Sequence, residues 1–73
     1  MTDTLRLRRI IKESGYKYGY VADNLGISYQ AFRNKITNKT EFVPTEIEKL
    51  CNLLNIKELK DKNDIFFASS SVD

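Results

Sequence analysis

A chain of 73 residues has room for one small domain and not for two. Its single cysteine, Cys51, excludes an internal disulfide, and without any histidine a zinc site is not expected. The formal net charge is only +2, but residues 1–40 carry a net charge of +5 and residues 41–73 a net charge of −3. This separation suits a protein that places one basic face on phosphate groups, although ordinary surface charge can also segregate in this way.

The first predicted helix starts at a cap formed by Thr2 or Thr4 and runs to about Ser14, where Gly15 ends it. Its apolar face consists of residues at helical spacing, Leu7, Ile10, Ile11 and Ser14. The residues around that face are charged: Arg6, Arg8, Arg9, Lys12 and Glu13. We interpret Arg6, Lys12 and Glu13 as solvated. Arg8 and Arg9 fit either solvent or a DNA backbone.

An unusual segment stands where the second helix should begin: Tyr16, Lys17, Tyr18, Gly19 and Tyr20. We expect Tyr16 in the core, and the hydroxyl of Tyr18 can donate to a phosphate. Gly19 inside a helix costs about 1 kcal/mol relative to alanine. Close approach of a partner would explain it, as would drift at an unimportant position. Because tyrosine-rich surfaces are also common at protein interfaces, the segment fits DNA binding and protein binding alike.

Residues 21–37 predict a helix-turn-helix. A helical pattern starting at Val21 stops at Gly26, whose left-handed conformation can close a helix, and Ser28 can cap the next one. Two helices joined by so short a turn must cross steeply, with the small Ala22 at their closest approach. The second helix has an apolar stripe for the core: Ala31, Phe32 and Ile36. Its other face is polar: Tyr29, Gln30, Arg33, Asn34 and Lys35. Amide side chains can pair with base edges, arginine with guanine, and lysine with phosphate, so we predict that this face meets nucleic acid.

The next helix is predicted to be scaffold. After a polar loop over residues 37–41, Phe42 and Val43 return to the core, and Pro44 suits the first position of a helix. Thr45 and Glu48 have the spacing of a capping box. The stripe that follows is apolar: Ile47, Leu50, Cys51 and Leu54, widened by Leu53 and Ile56. Cys51 is therefore expected to be a small buried side chain of a reduced, cytoplasmic protein.

The last part of the predicted domain, residues 1–67, is less regular. Residues 57–64 are charged, with a short helical turn around Leu59. Ile65, Phe66 and Phe67 are three large apolar residues in a row, of which we expect one or two to close the core. The rest could form a homodimer contact. Residues 68–73 are predicted to be a disordered tail.

The sequence excludes several function classes. It has no long apolar run and no signal peptide, so we expect a soluble protein without a membrane partner. It also has no histidine, no metal-ligand constellation, no glycine-rich phosphate loop and no nucleophile spaced with a base. We therefore predict that the protein is not an enzyme and has no cofactor.

The whole pattern resembles the small phage Cro-like and repressor-type helix-turn-helix proteins. The matching positions are Gly15, Tyr16, residues 21–28, Phe32, Lys35 and Ile36. Residues 40–42, 46–50, 54–56 and 66–67 are similar to one Cro-like phage subfamily. The resemblance implies an all-α bundle of about five short helices of the lambda repressor type. It also implies a dimer on double-stranded operator DNA, acting in the choice between lysis and lysogeny in the cytoplasm of a bacterial host cell.

The resemblance also implies roles for individual residues. The base-reading positions would be Tyr29, Gln30, Arg33 and Asn34. The phosphate-contacting positions would be Lys17, Tyr18, Lys35, Asn38 and Lys39. Where this chain has Tyr18, the family usually has glutamine.

A second function fits the same residues. The protein could bind a partner, such as a phage repressor, through Tyr29, Phe32 and residues 16–20, and so block or reshape the DNA binding of that partner. The small net charge, the surplus tyrosines and the tyrosine in place of glutamine favour this alternative. The two functions differ in how the binding affinity is expected to depend on salt concentration. The dependence is steep for a DNA complex and shallow for a tyrosine-centred protein interface.

Overall fold

The computed structural model describes residues 1–68, which fold into five α-helices and contain no strand. The helices are α1 (Thr4–Ser14), α2 (Tyr18–Leu25), α3 (Tyr29–Ile36), α4 (Pro44–Leu54) and α5 (Leu59–Phe66). The predicted all-α bundle of about five short helices is confirmed. Of the tail predicted to be disordered, residues 69–73 lie outside the described part of the chain.

The first helix begins at a different cap from the one predicted. The carboxylate of Asp3 accepts from the backbone N–H of Arg6 at 3.1 Å, so the prediction of Thr2 or Thr4 is wrong. Thr4 is already the first helical residue, and Thr2 is only 4% exposed. At the other end the predicted stop is confirmed, because Gly15 adopts φ +82° and its N–H bonds to the carbonyl of Lys12.

Helices α2 and α3 are joined by the short turn that the sequence predicts. Gly26 ends α2 in the left-handed conformation at φ +73°, and the Oγ of Ser28 accepts from the N–H of Ala31 at 3.0 Å at the start of α3. Ile27, between them, packs against the core. Ala22 is buried, and α2 packs against α3 and α4. Because these local contacts close the turn at both ends, the end of α2 and the start of α3 are encoded within this short stretch.

Two predictions about the start of α4 are wrong. Pro44 does occupy the first helical position, but it is Glu46, not Glu48, that caps: its Oε1 accepts from the N–H of Val43 at 3.0 Å. Val43 is therefore the cap residue, and its side chain is 44% exposed instead of buried. Valine has no side-chain acceptor, so only this half of a capping box exists. The predicted apolar stripe of α4 is confirmed, with Ile47, Leu50 and Cys51 buried.

The last helix is longer than the turn that the sequence predicted. It begins at Leu59, which is exposed, and only its final turn reaches the core through Ile65 and Phe66. Phe67 is 60% exposed, so two of the three consecutive apolar residues close the core, as predicted. A dimer contact at Phe67 stays a prediction.

A row of aromatic rings runs through the core and joins most of the elements. Tyr18 of α2 meets Phe32 of α3 at a centroid distance of 5.3 Å, Phe32 meets Phe42 at 6.1 Å, and Phe42 meets Phe66 of α5 at 5.9 Å. All three contacts are edge-to-face, the geometry that ring quadrupoles favour. The other buried residues surround this row: Leu7, Ile11, Val21, Ala22, Leu25, Ile36, Ile47, Leu50, Cys51 and Ile65. The row links α3 to the rest of the bundle.

Candidate nucleic-acid interface

The surface of α3 that faces away from the core is the candidate site, and we call it the α3 face. Its residues line a shallow depression of about 180 Å³: Tyr29, Gln30, Arg33, Asn34, Thr37 and Lys39. The four predicted base-reading residues are all among them. Thr37 was not predicted to be part of the site, although its spacing of four residues from Arg33 and eight from Tyr29 places it on the same side of the helix.

Side chains on the α3 face are paired with one another at helical spacing. The Nε2 of Gln30 donates to the Oδ1 of Asn34 at 3.2 Å, and the Nη1 of Arg33 donates to the hydroxyl of Tyr29 at 3.3 Å. The guanidinium carbon of Arg33 also lies 6.0 Å from the centroid of the Tyr29 ring. These pairs limit the rotamers of exposed side chains before any partner binds, which lowers the entropy cost of binding.

The pair of amides has a definite hydrogen-bonding character. The bond between them leaves the carbonyl oxygen of Gln30 and the amide nitrogen of Asn34 without a partner among residues 1–68. One acceptor and one donor therefore stand side by side on an exposed helix. This is the combination that the major-groove edge of adenine requires, with its N6 amino donor and N7 acceptor.

Buried side chains and a contact from α1 fix the position of α3. Phe32 and Ile36 are fully buried, and the Nη2 of Arg8 on α1 donates to the carbonyl of Ile36 at 3.2 Å. This places a cation at the C-terminal end of α3, where the helix dipole favours positive charge. Arg8, which the sequence left open between solvent and DNA, thus makes a contact that positions the α3 face.

Lys35 does not reach the α3 face, contrary to its predicted role as a phosphate contact. Its side chain is only 13% exposed, and its Nζ lies 3.1 Å from the Oε1 of Glu46. The same ammonium donates to the carbonyl of Glu41 at 2.9 Å. Its charge is therefore used to join α3 to the start of α4.

Asn38, a second predicted phosphate contact, also points into the protein. It takes the left-handed conformation at φ +64°, and its Nδ2 donates to the carbonyl of Thr2 at 3.1 Å. Its Oδ1 is buried and has no hydrogen-bond partner among the described residues. Asparagine tolerates this backbone conformation better than most residues, so Asn38 reverses the chain after α3 and holds the N-terminal segment against it.

The other three predicted phosphate contacts lie in two places. Lys39 is exposed beside the depression on the α3 face. Lys17 is exposed at the N-terminal cap of α2, and Tyr18 next to it is half-buried against Phe32. Lys17 and Tyr18 line a second groove between α1 and α2, which the depression on the α3 face meets at Tyr29. Of the five predicted phosphate contacts, only Lys39 therefore lies beside all four predicted base-reading residues.

Comparison with known proteins identifies no relative. No family model, no curated protein and no solved structure matches the chain. Among residues 1–68, no helix is long and apolar enough to cross a membrane. In the same part of the chain, no three or more acidic or cysteine side chains are grouped so as to hold a metal ion.

Proposed function

We propose that this protein is a phage-type transcriptional regulator that places α3 in the major groove of an operator. The observation that carries the proposal is the α3 face itself: an exposed helix with an amide pair and an arginine, anchored by buried residues on its other side. Gln30 and Asn34 would read adenine, and Arg33 would release Tyr29 to read guanine. The resemblance of the sequence to Cro-like regulators of the lysis and lysogeny decision supports the same function.

The charges of the structure set the expected strength of this binding. Because Lys35 is paired with Glu46, two of the predicted phosphate contacts still have a positive charge available for DNA, Lys17 and Lys39. Two neutralised phosphates correspond to a slope of about −1.8 in a plot of log K against log salt concentration for each protomer. With so few phosphate contacts, a single domain is expected to bind DNA weakly. Two copies on half-sites about 34 Å apart would supply the remaining affinity.

The test starts from a library of randomised DNA duplexes, so that the protein itself selects its operator sequence. Sequences selected by the purified protein would be labelled with fluorescein and titrated by anisotropy at several salt concentrations. We expect Gln30→Ala and Asn34→Ala each to weaken binding by about 1–3 kcal/mol and to relax preference at one base pair. Thr45→Ala is the control, since Thr45 is exposed on α4 and outside the α3 face. Selection of no sequence, or of the same sequence by the Gln30→Ala and Asn34→Ala variants, would refute the proposal.

One observation favours a second candidate function, in which the α3 face binds a repressor and modulates its DNA binding. Lys35 and Asn38 are turned inward, while the ring of Tyr29 is about half exposed. This makes the surface less basic and more aromatic than the sequence suggested. A complex with a repressor that survives added salt, together with no selected DNA sequence, would support this candidate in place of the first.

A further inference from the structure

A second concave surface lies between α1 and α2 and meets the α3 depression at Tyr29, and we call it the tyrosine groove. Its volume is about 1230 Å³. Its lining includes an apolar and aromatic part, with Ile11, Tyr16 and Tyr20, and four cations, Arg8, Arg9, Lys12 and Lys17, of which Arg8 already donates to the carbonyl of Ile36.

The packing of the helices explains why the groove is open. Helix α1 packs against α3, α4 and α5, and α2 packs against α3 and α4, but α1 and α2 do not pack closely against each other. Gly19 also lines the groove, and a Cβ added there would meet no atom within 4 Å. The helical glycine, which the sequence could not explain, therefore widens the space where a side chain would otherwise stand.

The aromatic rings of the groove are partly packed against one another and partly exposed. The rings of Tyr16 and Tyr20 lie 5.0 Å apart at an interplanar angle of 30°, so each covers one face of the other. Tyr18 is edge-on to Phe32. Tyr20 is 51% exposed, which leaves a large aromatic surface uncovered. Tyrosines of this kind are typical anchors in protein interfaces, since they combine apolar area with a hydroxyl.

The charge around the groove is strongly positive. Arg9, Lys12 and Lys17 are exposed, and none of them forms an ion pair within residues 1–68. The lining has a single carboxylate, that of Asp23. Three uncompensated cations around an aromatic floor are complementary to a ligand that carries both carboxylates and apolar side chains.

We propose that the tyrosine groove binds an acidic peptide segment of a partner protein. The segment would insert an aromatic or large aliphatic side chain against Tyr16 and Tyr20, while its carboxylates contact Arg9, Lys12 and Lys17. The proposal goes beyond DNA binding by the α3 face and does not depend on it. The two surfaces adjoin at Tyr29, and Lys17 is both a predicted phosphate contact and part of the groove lining, so DNA and the acidic partner would occupy neighbouring surfaces.

A DNA duplex fits this surface less well. A duplex is convex and is contacted by protruding cations, so it gains nothing from an apolar concavity between two helices. Peptide side chains, in contrast, can pack into such a concavity.

A library of random linear peptides displayed on phage provides the test, followed by titration of the selected peptides in fluorescein-labelled form. We expect selection of sequences that combine Asp or Glu with Phe, Leu or Trp. Tyr20→Ala and Lys12→Glu should each weaken binding about tenfold or more, the loss typical of a central interface residue. Gln30→Ala on the α3 face is the matched control and should leave peptide binding unchanged.

A variant that fills the groove separates loss of binding from loss of folding. Gly19→Leu puts a side chain into open space and replaces glycine with a better helix former, so the domain should stay folded and the peptide should no longer bind. Failure to select acidic peptides, or equal binding by wild type and Gly19→Leu, would overturn the proposal. So would duplex DNA binding that falls with Lys12→Glu and is unaffected by Tyr20→Ala, since the groove would then be a phosphate surface. The DNA selection with Gln30→Ala and Asn34→Ala reports on α3 alone, so either proposal can fail without the other.

Discussion

The ion pair between Lys35 and Glu46 gives the sharpest test of the structure, because the sequence alone assigned Lys35 to phosphate. The two side chains are 13% and 10% exposed, and the charged atoms lie 3.1 Å apart. Each group has one further partner, the carbonyl of Glu41 for the lysine and the N–H of Val43 for the glutamate. Replacement of Lys35 by methionine keeps the aliphatic stem and leaves the carboxylate of Glu46 buried without its cation.

The expected cost is large for so small a domain. Removing one partner of a fully buried pair costs about 3–5 kcal/mol, and the slight exposure here reduces this to about 2–4 kcal/mol. A chain of this length has a total stability of about 4–11 kcal/mol, so Lys35→Met removes a substantial part of it. The midpoint of thermal unfolding should fall by about 8–32 °C, at about 4–8 °C for each kcal/mol.

A double-mutant cycle measured by urea unfolding, followed by circular dichroism, isolates the pair. Glu46→Gln keeps an acceptor for the N–H of Val43, and the variant with both changes should recover about 1–3 kcal/mol relative to the sum of the single changes. Lys60→Met is the control, since Lys60 pairs with Asp64 at 3.1 Å on the open surface and its loss should be too small to resolve. A coupling energy near zero would refute the reasoning. In DNA titrations, the salt slope should be unchanged in Lys35→Met and smaller by about 0.9 in Lys39→Met.

Three further predictions concern single residues and use the same unfolding assay. Gly26→Ala should destabilise the domain by about 1–2 kcal/mol, because alanine is strained at φ +73° although its Cβ would meet no atom within 4 Å. Gly19→Ala, inside α2 and without a positive φ, should instead stabilise it by about 0.5–1 kcal/mol, and a loss of stability would contradict this. Burial raises the pKa of the Cys51 thiol above its ordinary value of 9.0, with the Lys62 ammonium acting in the opposite direction. Because the folded state holds this proton more tightly, the contribution of Cys51 should be complete below pH 9 and lost at higher pH. A stability difference between wild type and Cys51→Ala that stays constant from pH 8 to pH 11 would refute this.

Local signals made much of the fold predictable. The turn between α2 and α3 depends on Gly26 and Ser28, each of which acts on neighbours within four residues. The stripe of α4 is equally local, because helical periodicity alone places Ile47, Leu50 and Cys51 on one face. Helix α5 was underestimated because its first two turns are charged or exposed and only Ile65 and Phe66 enter the core, which is too short a pattern to show a period.

The placement of the candidate site residues was predictable on one side of α3 and not at its end. Gln30, Arg33 and Asn34 share the exposed face as the helical spacing predicts. Lys35 and Asn38 instead depend on partners that are distant in sequence, Glu46 and Thr2. Nothing in a helical pattern indicates that a carboxylate on another helix will neutralise a lysine. Long-range partners of polar residues are therefore the part of the site that requires the structure.

The hydrogen bonds of the N-terminal segment have a consequence for synthesis on the ribosome. Asp3 donates through its backbone N–H to the carbonyl of Ile65 at 2.6 Å, and the neighbouring Thr2 accepts from Asn38 at the end of α3. This segment is synthesised before the rest of the domain, but its bond to Ile65 has to wait for one of the last helical residues. All residues of the helix-turn-helix are made before α5, whereas the segment that contacts the end of α3 is secured only after α5 is complete. In a nascent chain, the end of α3 is therefore expected to be held less firmly until α5 has been translated.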